Sequence, residues 1–116
     1  MDGKRTEFLK GCTETLVLHL LAERAMYGYE LIRELRERSG GAFDLGQGTV
    51  YPLLYTLERR GLVKGRWQQS DDTSRARKYY GLTRRGAAAA SARIGEWGAL
   101  VVAMARVLEA PRAAVR

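Results

Sequence analysis

Nine Lys and Arg side chains lie between Arg59 and Arg85, against only Asp71 and Asp72 in the same span, and this excess equals the +7 of the whole chain. The cations are Arg59, Arg60, Lys64, Arg66, Arg75, Arg77, Lys78, Arg84 and Arg85. Their chemistry is the binding of anions, phosphates above all. Positive charge gathered in one stretch reads as a binding surface, since solubility alone is served by scattered charge. The other residues with reactive side chains are Cys12 and His19, seven positions apart. They could begin a metal site or a Cys/His pair. No further Cys or His completes a metal site, though carboxylates could, and no Gly-rich phosphate loop or nucleophile elbow occurs. Both therefore read as helix packing residues, and the chain reads as no enzyme, without cofactor or metal.

The length of 116 residues allows one domain with a modest core, small enough for a second copy to add to its stability. A net +7 points to a polyanion, either nucleic acid or an anionic membrane. Membrane is the weaker choice, because no apolar run approaches the roughly 20 residues that span a bilayer and MDGKRTEF lacks the apolar core of a signal peptide. The expected location is the cytoplasm. Cys12 is the sole cysteine, which rules out an intrachain disulfide and suits a reducing compartment.

The elements that would carry the cations follow from periodicity. Leu9, Cys12, Thr13, Leu16, Val17 and Leu20 fall on one face of a first helix over Leu9 to Arg24. Ala25 to Tyr29 interrupts it. A second helix, Glu30 to Arg38, turns Leu31, Ile32 and Leu35 inward and sets Glu30 near Arg33 and Glu34 near Arg38 outside. Ser39, Gly40 and Gly41 end it, glycine accepting the left-handed backbone that closes a helix.

The third helix starts at Gln47 to Thr49. Pro52 sets that limit: with Thr49 as the cap it falls at the third helical position, whereas a much earlier start puts proline in the interior at a cost of about 3 kcal/mol. Val50, Leu53, Leu54 and Leu57 fall on one side; Gly48, Pro52, Tyr55, Thr56 and Arg59 fall on the other. The second side has no acid and no large aliphatic, a composition suited to entering a groove. After Gly61, Leu62 to Gln69 alternates as a strand with Val63 and Trp67 on one face and Lys64 and Arg66 on the other. Arg77 to Leu82 is its partner, and Ser70 to Ala76 a polar, flexible tip carrying Arg75. Helix followed by basic hairpin is the order in which a winged helix-turn-helix grips DNA.

A last helix, Arg84 to Leu108 with Thr83 as cap, places Ala87, Ala90, Ile94, Trp97, Val101, Met104 and Leu108 in a heptad seam broadened by Leu100 and Val107. So much apolar surface calls for a second copy; folding back on the first helix is the alternative, and both are compatible. Pro111 stops the helix. The chain thus divides into residues 1–82, a winged helix-turn-helix, residues 83–110, a C-terminal dimerisation helix, and a tail at 111–116. The fold class is mainly α with a small β-hairpin.

The chain resembles the PadR family of bacterial transcriptional regulators. The resemblance rests on Tyr27-Gly28-Tyr29-Glu30-Leu31, Gly48-Thr49-Val50-Tyr51-Pro52-Leu53-Leu54 and Leu57-Glu58-Arg59-Arg60-Gly61-Leu62-Val63, followed by Arg77-Lys78-Tyr79-Tyr80 and Leu82-Thr83-Arg84-Arg85-Gly86. It covers the chain from Leu9 to about Leu108. It implies a homodimer that exchanges C-terminal helices and binds a palindromic operator to repress transcription. The single helix after the wing implies the short branch, in which a cavity between subunits accepts flat aromatic or phenolic ligands lined by a Trp of the last helix; Trp97 matches it, with a plain core role as the alternative. Two positions depart from the family pattern: Arg84 stands where a Glu is common, placing a cation at a helix start, and Gly81 replaces a bulkier residue in the second wing strand.

The expected mechanism sets two third helices in successive major grooves. Arg59, Arg75, Arg77 and Lys78 contact phosphates, while Gln47, Thr49, Tyr51 and Tyr55 lie nearest base edges or adjacent phosphates. The dimer seam is Ile94, Trp97, Val101, Met104 and Leu108. The alternative is a winged helix used only for protein contacts, which would need an acidic partner.

Overall fold

The computed structural model describes residues 3–69 and 75–109. The polar tip therefore lies outside the described residues apart from Arg75 and Ala76, as do Pro111, the tail and the side chain of Leu9. The chain runs α1 (Gly3–Glu23), β1 (Met26–Tyr27), α2 (Gly28–Arg38), α3 (Gln47–Arg59), β2 (Val63–Gln69), β3 (Ala76–Leu82) and α4 (Arg84–Leu108).

α1 is buried more widely than a single stripe. Thr13, Val17 and Leu20 are buried as the spacing predicts, but so are Thr15, Leu18 and Leu21, while Cys12 and Leu16 are half-buried. The reason is position: α1 packs against α4, α2 and β3 together. The buried Thr15 hydroxyl is satisfied by donating to the Gly11 carbonyl at 3.1 Å.

The segment that reads as an interruption contains a strand. Met26 pairs with Tyr80 and Tyr27 with Tyr79, so the sheet has three strands in the order β1-β3-β2, and the hairpin is not alone. Met26 is fully buried, which ties the end of α1 to the sheet. α2 then starts at Gly28, two residues ahead of expectation. Glu30 does not serve an exposed pair with Arg33. Its carboxylate accepts the Tyr27 N–H at 3.2 Å, closing the helix start, and holds Arg24 at 3.0 Å. Glu34 and Arg38 do pair, at 2.8 Å, and Arg38 also reaches Glu23 on α1 at 2.8 Å. The helix ends where the glycines predict, with Gly40 and Gly41 at φ of 63° and 91°.

α3 begins at the early limit of its expected range. Gly46, extended, is its cap, and its carbonyl accepts from Thr49 and Val50 at 3.1 Å each. Thr49 is therefore inside the helix, and Pro52 lies in the interior after all. The Gly48 carbonyl, which proline leaves without its usual donor, belongs to an exposed residue, as does Pro52 itself, so water can satisfy it. Val50, Leu54 and Leu57 are fully buried and fasten the helix to the core. At its end Gly61, at φ 77°, lets Leu62 N–H reach the Leu57 carbonyl at 2.9 Å and Gly61 N–H that of Glu58 at 3.0 Å.

β2 and β3 pair antiparallel from Val63 opposite Leu82 to Gln69 opposite Ala76. Gly81 does not interrupt the ladder. α4 occupies the bounds its cap predicts: the Thr83 hydroxyl accepts from Gly86 N–H at 3.0 Å and donates to the Gly61 carbonyl at 2.6 Å. Gly86 and Ala90 are buried. Trp97, half-buried, lies over Gly11 of α1. In the first half of the seam Ala90 and Trp97 thus turn to their own chain, while Ala87 and Ile94 are exposed. Beyond it Leu100, Val101, Val102, Met104, Val107 and Leu108 are exposed, giving the molecule a 65 Å long dimension against 30 and 27 Å.

Candidate nucleic-acid interface

The outer side of α3 is as open as its pattern predicts. Gln47, Gly48, Thr49, Tyr51, Pro52, Tyr55, Thr56 and Arg59 are all exposed. Tyr55 and Arg59, one turn apart, form a unit, the guanidinium lying 5.7 Å from the ring centroid. Tyr51 is held differently. Its ring lies against the first residue of α2, so that a β-carbon on Gly28 would approach the ring to 2.5 Å. This contact seats α3 on α2 and gives Gly28 a packing role in addition to opening the helix.

Strand register divides the wing cations between two faces. Residues directly opposite share a face, so Lys64, Arg66 and Gln68 lie with Gly81, Tyr79 and Arg77, and Trp67 lies with Lys78. On the outer face the Arg77 guanidinium sits 4.6 Å from the centroid of the Tyr27 ring, which meets Tyr79 edge-on at 5.3 Å. Arg77 thus leaves the wing from a small aromatic platform to which β1 contributes. Tyr27, read from sequence as part of an interruption, is the residue that sequence reasoning missed. The Tyr27–Gly28–Tyr29 run could have signalled it only with the pairing to β3 in view. Arg75 is exposed at the base of the tip.

Lys78 points the other way. Its ammonium meets the Glu58 carboxylate on α3 at 3.3 Å and lies 5.3 Å from the centroid of the Tyr80 ring. Arg60, still exposed, turns toward α1 and pairs with Glu14 at 3.4 Å beside Arg93, which bonds the same carboxylate. The positive excess counted along the chain is therefore not a single surface. Arg59 and Arg60 are neighbours in sequence and face opposite partners.

The reactive pair dissolves. His19 is exposed, a helix turn from Glu23 at 3.3 Å, and is not a packing residue. Cys12 stays a thiol, burial pushing its pKa up. Among the described residues no cluster of His, Cys, Asp and Glu could hold a metal ion, and no helix is long and apolar enough to cross a membrane.

A protein-family model, that of the transcriptional regulator PadR-like family, matches residues 17–92, which span α1 from its middle to the first turns of α4. The crystal structure of a Streptococcus transcriptional regulator is 34% identical, with a TM-score of 0.76 over 88% of this chain and 97% of that one. A PadR-like transcriptional regulator from Bacillus cereus is 27% identical, with a TM-score of 0.80 over 90% of this chain and 99% of its own. A transcriptional regulator of Mycobacterium tuberculosis is 34% identical over 83 residues, 72% of this chain and 73% of that protein.

Proposed function

The chain belongs to the transcriptional regulator PadR-like family, whose members are regulators and not enzymes, and from that premise we propose that it works as a homodimer that represses transcription from a palindromic operator. The observation that carries the DNA half of this reading is the Tyr55–Arg59 unit on an α3 face free of acids. Two such helices enter successive major grooves about one turn of duplex apart. Gln47, Thr49, Tyr51 and Tyr55 approach base edges; Arg59, Arg75 and Arg77 hold phosphates and supply affinity that falls with salt. Residues 1–82 form the reading head and residues 83–110 the coupling helix. The site of action is the cytoplasm, with the DNA.

The dimer half is supported by the bare distal part of α4, where Val101, Met104 and Leu108 continue the seam of Ile94 and Trp97 with more apolar surface than this chain covers. A flat aromatic effector near Trp97 would change the angle between the paired helices. It does so only through different affinity for the two dimer states.

The test is selection of sheared genomic DNA by the purified protein, with the recovered fragments searched for an inverted repeat. Enrichment of one repeat, and repression of a reporter placed behind it, is the expected result. Recovery of fragments with no shared repeat removes sequence-specific regulation through a palindrome and leaves a winged helix for protein contacts as the better reading.

A further inference from the structure

Glu58 stands in the last turn of α3, and both oxygens of its carboxylate are used by the wing. One accepts the Gly65 N–H of β2 at 3.1 Å; the other takes the Lys78 ammonium of β3 at 3.3 Å. The Lys78 stem crosses directly over Gly65, where a β-carbon would fall well inside 3.0 Å of its Cε. Its ammonium end rests by the ring of the buried Tyr80. One side chain of the groove-facing helix therefore grips both strands of the hairpin, and the lysine is the bolt. Glu58 and Lys78 are each about one-third exposed, so the pair is screened only in part.

We infer that Glu58 and Lys78 are positioning residues which set the pitch of the wing against α3, and that Lys78 acts on DNA through Arg77 and Arg75 and not by holding a phosphate itself. The inference rests on the reading of α3 and the wing as one DNA-facing unit. β-strand alternation gives the physical reason: with Lys78 turned toward α3, its neighbour Arg77 must point to the outer face. A wing that swings relative to α3 moves Arg77 and Arg75 off the phosphate register that α3 has set.

The test uses full-length protein with Thr56→Cys and Gln68→Cys in a Cys12→Ser background, spin-labelled, so that one label reports α3 and the other the wing. The parent gives one narrow distance distribution. Glu58→Gln, and Lys78→Met, which keeps the stem over Gly65, broaden it. On duplex DNA, unlabelled Glu58→Gln binds about fivefold more weakly, although removing an anion near phosphates should by charge alone tighten binding. Lys78→Met weakens binding with no change in the slope of log affinity against log salt. Hydroxyl-radical protection is lost at the wing flank and kept under α3. A narrow distribution in both variants, or a salt slope reduced by about one unit in Lys78→Met, overturns the inference. Should Lys78→Met fail to fold, Glu58→Gln carries the test. Should the parent ignore duplex DNA, the functional reading falls, while the label distances still decide whether the pair holds the wing.

Discussion

Gly86 lies directly against the Leu62 carbonyl: a β-carbon placed on Gly86 would fall well inside 3.0 Å of that backbone oxygen. The first turn of α4 crosses the α3–β2 junction at this point, and only a bare backbone passes. Leu62 cannot retreat, because its N–H closes α3 on Leu57 and its carbonyl accepts from Thr83 N–H at 3.1 Å. Gly86→Ala should destabilise the fold by about 2–3 kcal/mol, the scale of overpacking in a rigid site. Urea unfolding measures it, and an unchanged midpoint would show that α4 docks elsewhere.

The adjacent Thr83 works through its hydroxyl twice, accepting from Gly86 and donating to Gly61. Thr83→Val keeps the shape and removes both bonds, so about 1–2 kcal/mol should be lost. Thr83→Ser should recover most of it. A valine variant as stable as the parent would mean the cap is dispensable.

Arg77 is expected to serve DNA of any sequence. Arg77→Ala should weaken operator and random duplex alike and lower the salt slope by about one unit. Tyr27→Leu should have a milder effect in the same direction, since it removes the platform beneath the guanidinium and leaves the charge. Full affinity and an unaltered slope in Arg77→Ala would deny it a phosphate.

The distal seam of α4 gives a test of assembly. Val101→Lys and Met104→Lys together put two cations on the exposed apolar half of the helix. Sedimentation should shift from dimer to monomer, with the melt of α1 to β3 little altered because neither residue enters the core. A dimer that survives both changes uses a different surface.

Arg38 makes hydrogen bonds to Glu23 and Glu34, and the first of these holds the Glu23 carboxyl below its ordinary range. A carboxyl lowered in the folded state stabilises above its unfolded pKa, and the gain disappears as pH falls through the folded value. Glu23 is exposed, so the effect is small. Glu23→Gln should lie slightly below the parent in stability near neutral pH and converge with it as acid protonates the Glu23 carboxyl. A gap that widens in acid would reverse the assignment.

Local chemistry was enough for part of the helical frame, though not for the starts of α1 at Gly3 and α2 at Gly28. Thr83 as cap and Leu108 as limit of α4, the glycine stop at Gly40 and Gly41, and the split of α3 into a buried Val50–Leu54–Leu57 side and an open Tyr55–Arg59 side all follow from side-chain period and backbone sterics, which act within a few residues. What escaped that reading depends on partners remote in the chain. Met26 and Tyr27 become a strand only because β3 arrives beside them, over fifty residues later. Pro52 is tolerated inside α3 because the Gly46 cap and the anchoring leucines outweigh one missing bond on a wet face. Arg60 and Lys78, equal to their neighbours in any count of charge, are turned toward Glu14 of α1 and Glu58 of α3. A cation's sign is written in its type; the direction in which it points depends on which acid the folded chain brings within about 4 Å, where partial shielding from water strengthens the attraction.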